Sequence, residues 1–230
     1  MIIIESKRKK IERLKKKYPD AIIADVTSKS DNSLRKLSPF YPWGDIPVPY
    51  SHGMVASCVE AVWQGLKVFE NAGVDIETFK NYSLRGLKRT TKKYGKILGH
   101  RRGVYGNDDL LDYKEAREYI YIPSYRWMLE NKALYIIERM RVANKNQDIV
   151  LLDYETNCDI TDVTKPLSHA YLIKAYVEGI APYEDVKEKI VHHHYYTGKR
   201  TISWTTEEEV FKKVQPQEQK DTQLSIEFDF

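Results

Sequence analysis

Glu60, Gln64 and Lys67 recur at helical spacing as a carboxylate, an amide and an amine. At about 100° per residue they fall within roughly 60° of one another on one helix flank. Trp63 stands on the shoulder of that group, and Ala56 and Gly65 leave space beside it. Such a set can do acid–base work through the carboxylate and stack a ring on the indole. Once desolvated, its lysine is also an amine nucleophile. An ordinary solvated face with an i,i+4 pair would use the same residues. The segment in front tips the choice. LSPFYPWGDIPVPY (37–50) is too apolar for a solvated linker and too proline-rich for a central strand. Phe40, Tyr41, Trp43 and Tyr50 are costly to leave in water, so the polar flank is expected to look into a covered site.

The element that must position these side chains is a helix over residues 55–69, because Val55, Val59, Val62, Leu66 and Phe69 make one apolar stripe. Gly73 stops it, and Asp75 can cap a short segment ending at Phe79. Upstream, ESKRKKIERLKKK (5–17) reads as a Lys-rich helix with Ile11 and Leu14 as its apolar contacts, and AIIADVTS (21–28) as a short strand. Downstream, a helix is expected over 111–122 and a second from Pro123 to Arg141, proline being favoured at a first helical position. DIVLLDY (148–154) is a short strand that runs into an acidic loop. Pro166, Leu167 and Ser168 open the helix HAYLIKAYVEG. RTISW (200–204) and TTEEEVFKKV (205–214) read as a last strand and helix.

LSPFYP followed by SCVEAVWQGLKVF resembles the signature of the NADAR family, which pairs an LSNFYP-like segment with a VEHxxQxxK-like helix. The resemblance covers roughly residues 25–180, is strongest at 37–69, and departs from the family at Ala61, where histidine is usual. It implies one mainly α globular domain with a few short β strands. It also implies an N-glycosidase, since studied members act on ADP-ribosylated guanine or on riboflavin-pathway intermediates. Cleavage at the anomeric carbon passes through an oxocarbenium-like species, which needs a nearby anion or nucleophile and a proton for the leaving base. Glu60 and Lys67 are the expected catalytic pair, with Asp153 a second candidate carboxylate. Phe40, Trp43, Trp63, Gln64 and Trp127 are expected to hold the base and its ribose. Arg101, in Gly99-His100-Arg101, and Arg126, at the start of its helix, are matched to family elements that would hold a diphosphate. Asp159 in the acidic loop and His169 on the following helix complete the expected substrate contacts.

Elsewhere the spacing excludes more than it assigns. Residues 85–103 are densely basic and interrupted by glycines, yet lack the spacing of a Walker phosphate loop. They remain either a solvated face or a holder of pyrophosphate or nucleic-acid backbone. The series Asp153, Glu155, Asn157, Asp159 and Thr161 resembles a calcium loop, but Cys158 and Thr164 stand where glycine and glutamate are required. His192, His193 and His194 are adjacent and point in different directions, so no metal site is assigned. No cofactor is called for.

A chain of 230 residues with 42% hydrophobic and 30% charged side chains can bury a real core. Its net charge of +4 permits an anionic ligand without demanding nucleic acid. Cys58 and Cys158 define no disulfide framework, MIIIESKRKK does not read as a signal peptide, and no stretch approaches a membrane span. The expectation is a cytoplasmic protein with a domain over 1–214 and a flexible tail over 215–230. That tail ends in QLSIEF, which resembles the hexapeptide by which bacterial proteins bind the replication sliding clamp. Gln223, Leu224, Ile226 and Phe228 would make the contact, unless the apolar cluster docks on its own domain.

Overall fold

The run Ile149–Asp153 is buried at every position, as befits the centre of a parallel sheet covered on both faces. In this computed structural model, which describes residues 1–83, 85–107 and 109–185, it is strand β8. It lies between β1 (Ile2–Ser6) and β2 (Ile22–Asp25), parallel to both. Alternation divides its side chains. Val150 and Leu152 meet Leu14 of helix α1 (Ile11–Lys17) on one face, while Ile149 and Leu151 face the main core. Residues 5–17 are therefore not one helix: Glu5 and Ser6 end strand β1, and Ile11, an expected apolar contact, is 40% exposed.

A 3-10 turn (Ser33–Leu37), capped by Asn32, leads into the aromatic loop. The two-residue strands β3 (Ile46–Pro47) and β4 (Val55–Ala56) close that loop as an antiparallel pair. Helix α2 (Val59–Leu66) follows, with the Cys58 thiol accepting a hydrogen bond from the Ala61 N–H at 3.3 Å. It is shorter than the expected 55–69. Val55 sits in β4, half in solvent, and Lys67 opens strand β5 (Lys67–Phe69). Gly65 leaves no space for a ligand either, because the Phe79 ring occupies it: a Cβ there would lie 2.1 Å from Phe79 Cε1.

Helix α3 (Ile76–Phe79) is capped by Asp75, whose carboxylate accepts from Glu77 N and Thr78 N. After the short helix α4 (Thr91–Tyr94), strand β6 (Ile97–Arg101) pairs antiparallel with β5 and with β7 (Leu110–Leu111). Helix α5 (Tyr113–Ala116) opens with an Asp112/Glu115 capping box and runs through a π turn (Arg117–Tyr121) directly into α6 (Ile122–Asn131). Pro123 therefore lies in the middle of a continuous helical run from Tyr113 to Asn131 and does not open a new helix. The break comes at Lys132 and Ala133, before α7 (Leu134–Asn146), so 123–141 is two helices. Helix α8 (His169–Glu178) is capped by Ser168 and closed by Gly179 in the left-handed conformation. The whole is mixed α/β and mostly helical. Among the described residues no helix is long and apolar enough to cross a membrane. The histidine run, RTISW, TTEEEVFKKV and the QLSIEF tail lie outside the described residues.

Candidate active site

The carboxyl ends of β2 and β8 open onto a cleft of about 560 Å³, where ligands of parallel sheets commonly sit. Thr27 and Ser28 follow β2 and line it, and Asp153 ends β8 at its edge. Across from them stands α2. Its polar flank is not in solvent: Glu60, Gln64 and Lys67 are each under one-tenth exposed and all line the cleft, with Trp63 beside them. Phe40 roofs the same space, as does Pro39, whose carbonyl accepts the Glu60 N–H at 2.8 Å.

The three polar groups form a line. Gln64 Nε2 donates to Glu60 Oε1 at 2.9 Å, and Lys67 Nζ reaches Gln64 Oε1 at 3.4 Å. Gln64 Oε1 also accepts the Arg89 N–H at 3.1 Å, which fixes the amide's orientation. Burial pushes the Glu60 carboxyl up, against the opposing pull of Gln64, Lys67, Lys88 and His169. Burial likewise pushes the Lys67 amine down, helped by the charges of Arg89 and Lys88 and opposed by Glu60. Both groups are thus moved towards their neutral forms. Lys67 Nζ lies 5.7 Å from the Trp63 ring, which also packs against the His100 imidazole at 3.9 Å and edge-on against Tyr121 and Tyr113. His100 is held neutral by burial first and by Lys67 second, with its pKa pushed down to about 3.

A second buried cluster sits at the end of β8. Asp153 Oδ2 accepts from Ser168 Oγ at 2.7 Å and pairs with His169 Nδ1 at 2.9 Å, while Oδ1 accepts the Tyr154 N–H at 2.7 Å. Burial alone would raise this carboxyl. His169, Ser168 and the Ala170 N–H outweigh it and hold it at about 2. His169 Nε2 meets the Val26 carbonyl at 2.9 Å. An imidazole facing an acceptor from each nitrogen is favoured as the doubly protonated cation, and its pKa is raised on balance: burial lowers it, and Asp153, the Val26 carbonyl and Asp25 overcome that. With its oxygens taken by protein donors, Asp153 is suited to orient α8 and the loop before it. Glu60 is better placed for proton transfer.

Two buried arginines went unread in the sequence. Arg117, 1% exposed, donates to the carbonyls of Ile160, Asp162 and Lys165 and lies 4.6 Å from the Tyr113 ring. It thereby ties down loop 154–167, which supplies Tyr154, Glu155, Pro166 and Leu167 to the cleft. Arg89 donates to the carbonyls of Gln64, Lys67 and Gly73 between the rings of Phe69 and Tyr94. Lys88 lines the wall beside it. The cleft wall therefore carries the basic side chains Lys88, Arg89 and Arg117 besides Lys67, which burial moves towards its neutral form. Basic density at 85–103 marks the segment that holds Lys88 and Arg89 without singling either out, and nothing local in REYIY points to Arg117.

Of the residues expected at the site, Phe40, Glu60, Trp63, Gln64, Lys67, Asp153 and His169 are brought together. Five are not. Trp43 turns its indole N–H to the Lys36 carbonyl at 2.8 Å. Arg126 is held between Glu130 and Asp185, each at 2.8 Å, and Trp127 packs against the core with Lys132 over its ring. Asp159 accepts from Thr161 in an exposed Asx turn. Arg101, half-buried on β6, is outside the cleft lining.

This set of walls belongs to a recognised sequence family, matched over residues 6–173. The chain belongs to DUF6939, a family of unknown function. The matched span takes in every cleft residue of this DUF6939 chain and ends inside α8. A comparison with curated proteins finds no match.

Proposed function

We propose that this DUF6939 chain is an N-glycosidase of NADAR type, cleaving the bond between a nucleobase and the ribose of an ADP-ribosyl substrate such as ADP-ribosylated guanine. The observation that carries the reading is the buried line Glu60–Gln64–Lys67, in which burial drives a carboxyl and an amine towards neutrality inside one aromatic-roofed cleft. A neutral lysine is a nucleophile, and a neutral glutamic acid is a proton donor. In the proposed reaction the Lys67 amine attacks the anomeric carbon while the C–N bond to the base breaks. Its electron pair goes to the departing base nitrogen, which takes the Glu60 proton. Water then replaces the lysine, which leaves with the proton that water gives up, and return of that proton from Lys67 to the Glu60 carboxylate restores both groups. Trp63 and Phe40 supply stacking surfaces, and Lys88, backed by the positive charge of Arg89 and Arg117, suits a diphosphate.

The test is turnover of ADP-ribosylated guanosine and of NAD-like substrates. Wild type should release free base or ADP-ribose, and Glu60→Gln and Lys67→Ala should each abolish turnover while remaining folded. Full activity in both variants would sink the assignment. Ala61 favours a second reading, a binding module without catalysis. It is fully buried in α2 where the resembled family has histidine, so it offers the cleft no imidazole. Calorimetric binding of ADP-ribose with no product formed from any substrate would select that alternative. A reducing cytoplasm is the proposed setting: Cys58 is buried, its thiol pushed up to about 11 chiefly by burial, and Cys158 stands free and exposed. Gln223, Leu224, Ile226 and Phe228 remain the proposed sliding-clamp contact, tested by capture on the clamp with and without residues 220–230.

A further inference from the structure

Residues 85–102 hold eight basic and no acidic side chains. Six of them, Arg85, Lys88, Lys92, Lys93, Lys96 and Arg102, are exposed. Strand β6 carries this stretch across the surface, which sets Lys96 and Arg102 about 20 Å apart at the usual rise of a strand. At the Arg102 end the guanidinium lies 5.4 Å from the Tyr50 ring and 5.5 Å from the Tyr119 ring. Both rings are open to solvent, at 53% and 44%, and Tyr105 in the same loop region is 85% exposed.

Tyr50 is held in that pose against its backbone preference. Its φ of 57° is left-handed, an outlier for a bulky aromatic residue, and such strain persists only where the surroundings enforce it. Gly103 does so from below, packed so closely that a Cβ there would meet the Tyr50 carbonyl oxygen at 2.3 Å. The nearby carboxylates of α5 and the π turn are engaged elsewhere. Asp112 and Glu115 form the capping box, and Glu118 pairs with Lys114 at 3.5 Å.

We propose that this face binds single-stranded nucleic acid, with Lys92, Lys93, Lys96 and Arg102 on phosphates and Tyr50, Tyr105 and Tyr119 stacked on bases. Glu70, whose carboxylate accepts the Lys96 N–H at 2.9 Å, is an acidic group beside this strip, and the excess of positive charge around it selects a polyanion. Exposed rings select one whose base faces are accessible, which a duplex hides in its own stack and which a membrane or an acidic peptide lacks. Lys88 and Ile97 belong both to this strip and to the cleft wall, so the strand would be led towards the cleft mouth. The surface stands apart from the cleft chemistry, and Glu60→Gln should bind a strand as wild type does.

Fluorescence anisotropy with labelled oligothymidylate, oligouridylate and a DNA duplex tests this on the full chain. Four phosphate contacts on a single strand predict about 50-fold weaker binding on going from about 50 to about 200 mM salt. The triple variant Lys92→Glu/Lys93→Glu/Arg102→Glu should lose binding and flatten that slope. Tyr105→Ala and Tyr50→Gly should each weaken binding roughly tenfold with the slope unchanged, as expected for a lost stack. Glycine relieves the left-handed strain at position 50, so weaker binding there would not reflect unfolding. Equal affinity for both oligomers or a preference for one supports the surface and tells which polymer it favours. Duplex bound as tightly as single strands, tyrosine variants that bind like wild type, or no salt-dependent binding would overturn it. So would equal capture of anionic vesicles or polyglutamate.

Discussion

At the scale of single residues the question is which protonation states the cleft holds. Glu60 is pushed above the ordinary 4.5 of its carboxyl and Lys67 below the ordinary 10.5 of its amine, each chiefly by burial. If one must give a proton and the other attack unprotonated, kcat/KM should be bell-shaped against pH. The glutamate should titrate above 4.5 and the lysine below 10.5, and the apparent values belong to the pair. Glu60→Gln should remove one limb; a profile unchanged by that substitution would take the glutamate out of the mechanism. Spacing alone made Glu60, Trp63 and Gln64 legible, because i,i+4 residues share a flank wherever the helix lies. Lys67 was legible for a different reason from the one that places it. It has already left α2 and reaches Gln64 from β5, opposite His100. Arg117 and Arg89 were not legible, since their partners are backbone carbonyls from segments far along the chain.

At the scale of elements, the cleft depends on how α8 and α2 are seated. The Asp153–His169 pair joins the end of β8 to the start of α8, and its pH dependence has two sides. Asp153 has a folded value of about 2, below its ordinary 3.8. Its contribution is complete above 3.8, on the order of 2 kcal/mol, and is lost as pH falls towards 2. His169 is raised above 6.5, so its contribution is complete below 6.5 and is lost as pH climbs through the folded value. Chemical denaturation across pH should therefore give greatest stability between about 4 and 6.5 from this pair, and Asp153→Asn should flatten both flanks. A variant with the wild-type pH curve would show that the pair is not coupled to folding. Helix α2 is seated by close approach instead. Gly65→Ala drives a methyl group into the buried Phe79 ring and should lower stability by about 1–2 kcal/mol despite alanine's better helix propensity. Phe79→Leu in the same chain should recover part of the loss, and no recovery would place the strain elsewhere. Both seatings escape a sequence reading: Gly65 looked like room for a ligand, and the helix bounds moved because β4 and β5 take residues that helical periodicity assigns to α2.

At the scale of the whole molecule, three distant stretches must meet before a cleft exists. Residues 27–40 follow β2, residues 60–67 and 88–90 come from α2, the start of β5 and the basic segment, and residues 153–169 follow β8, with Tyr113, Arg117 and Tyr121 completing the wall from α5 and the π turn. The parallel sheet is the reason they meet, since β2 and β8 run the same way and end at the same edge. DIVLLD announced a buried strand, but not that β1 and β2 would flank it, because which strands neighbour it is decided by contacts more than a hundred residues apart. A ligand held by all three stretches should order them together. Hydrogen exchange with saturating ADP-ribose should slow amides in residues 27–40, 60–67 and 153–169 in concert, and the gain in stability should follow ligand concentration, about 2.7 kcal/mol at a hundredfold excess over Kd. Slowing confined to residues 85–105 would instead put the nucleotide on the outer basic face, and the cleft would lose its claim to the substrate even if the chain binds it.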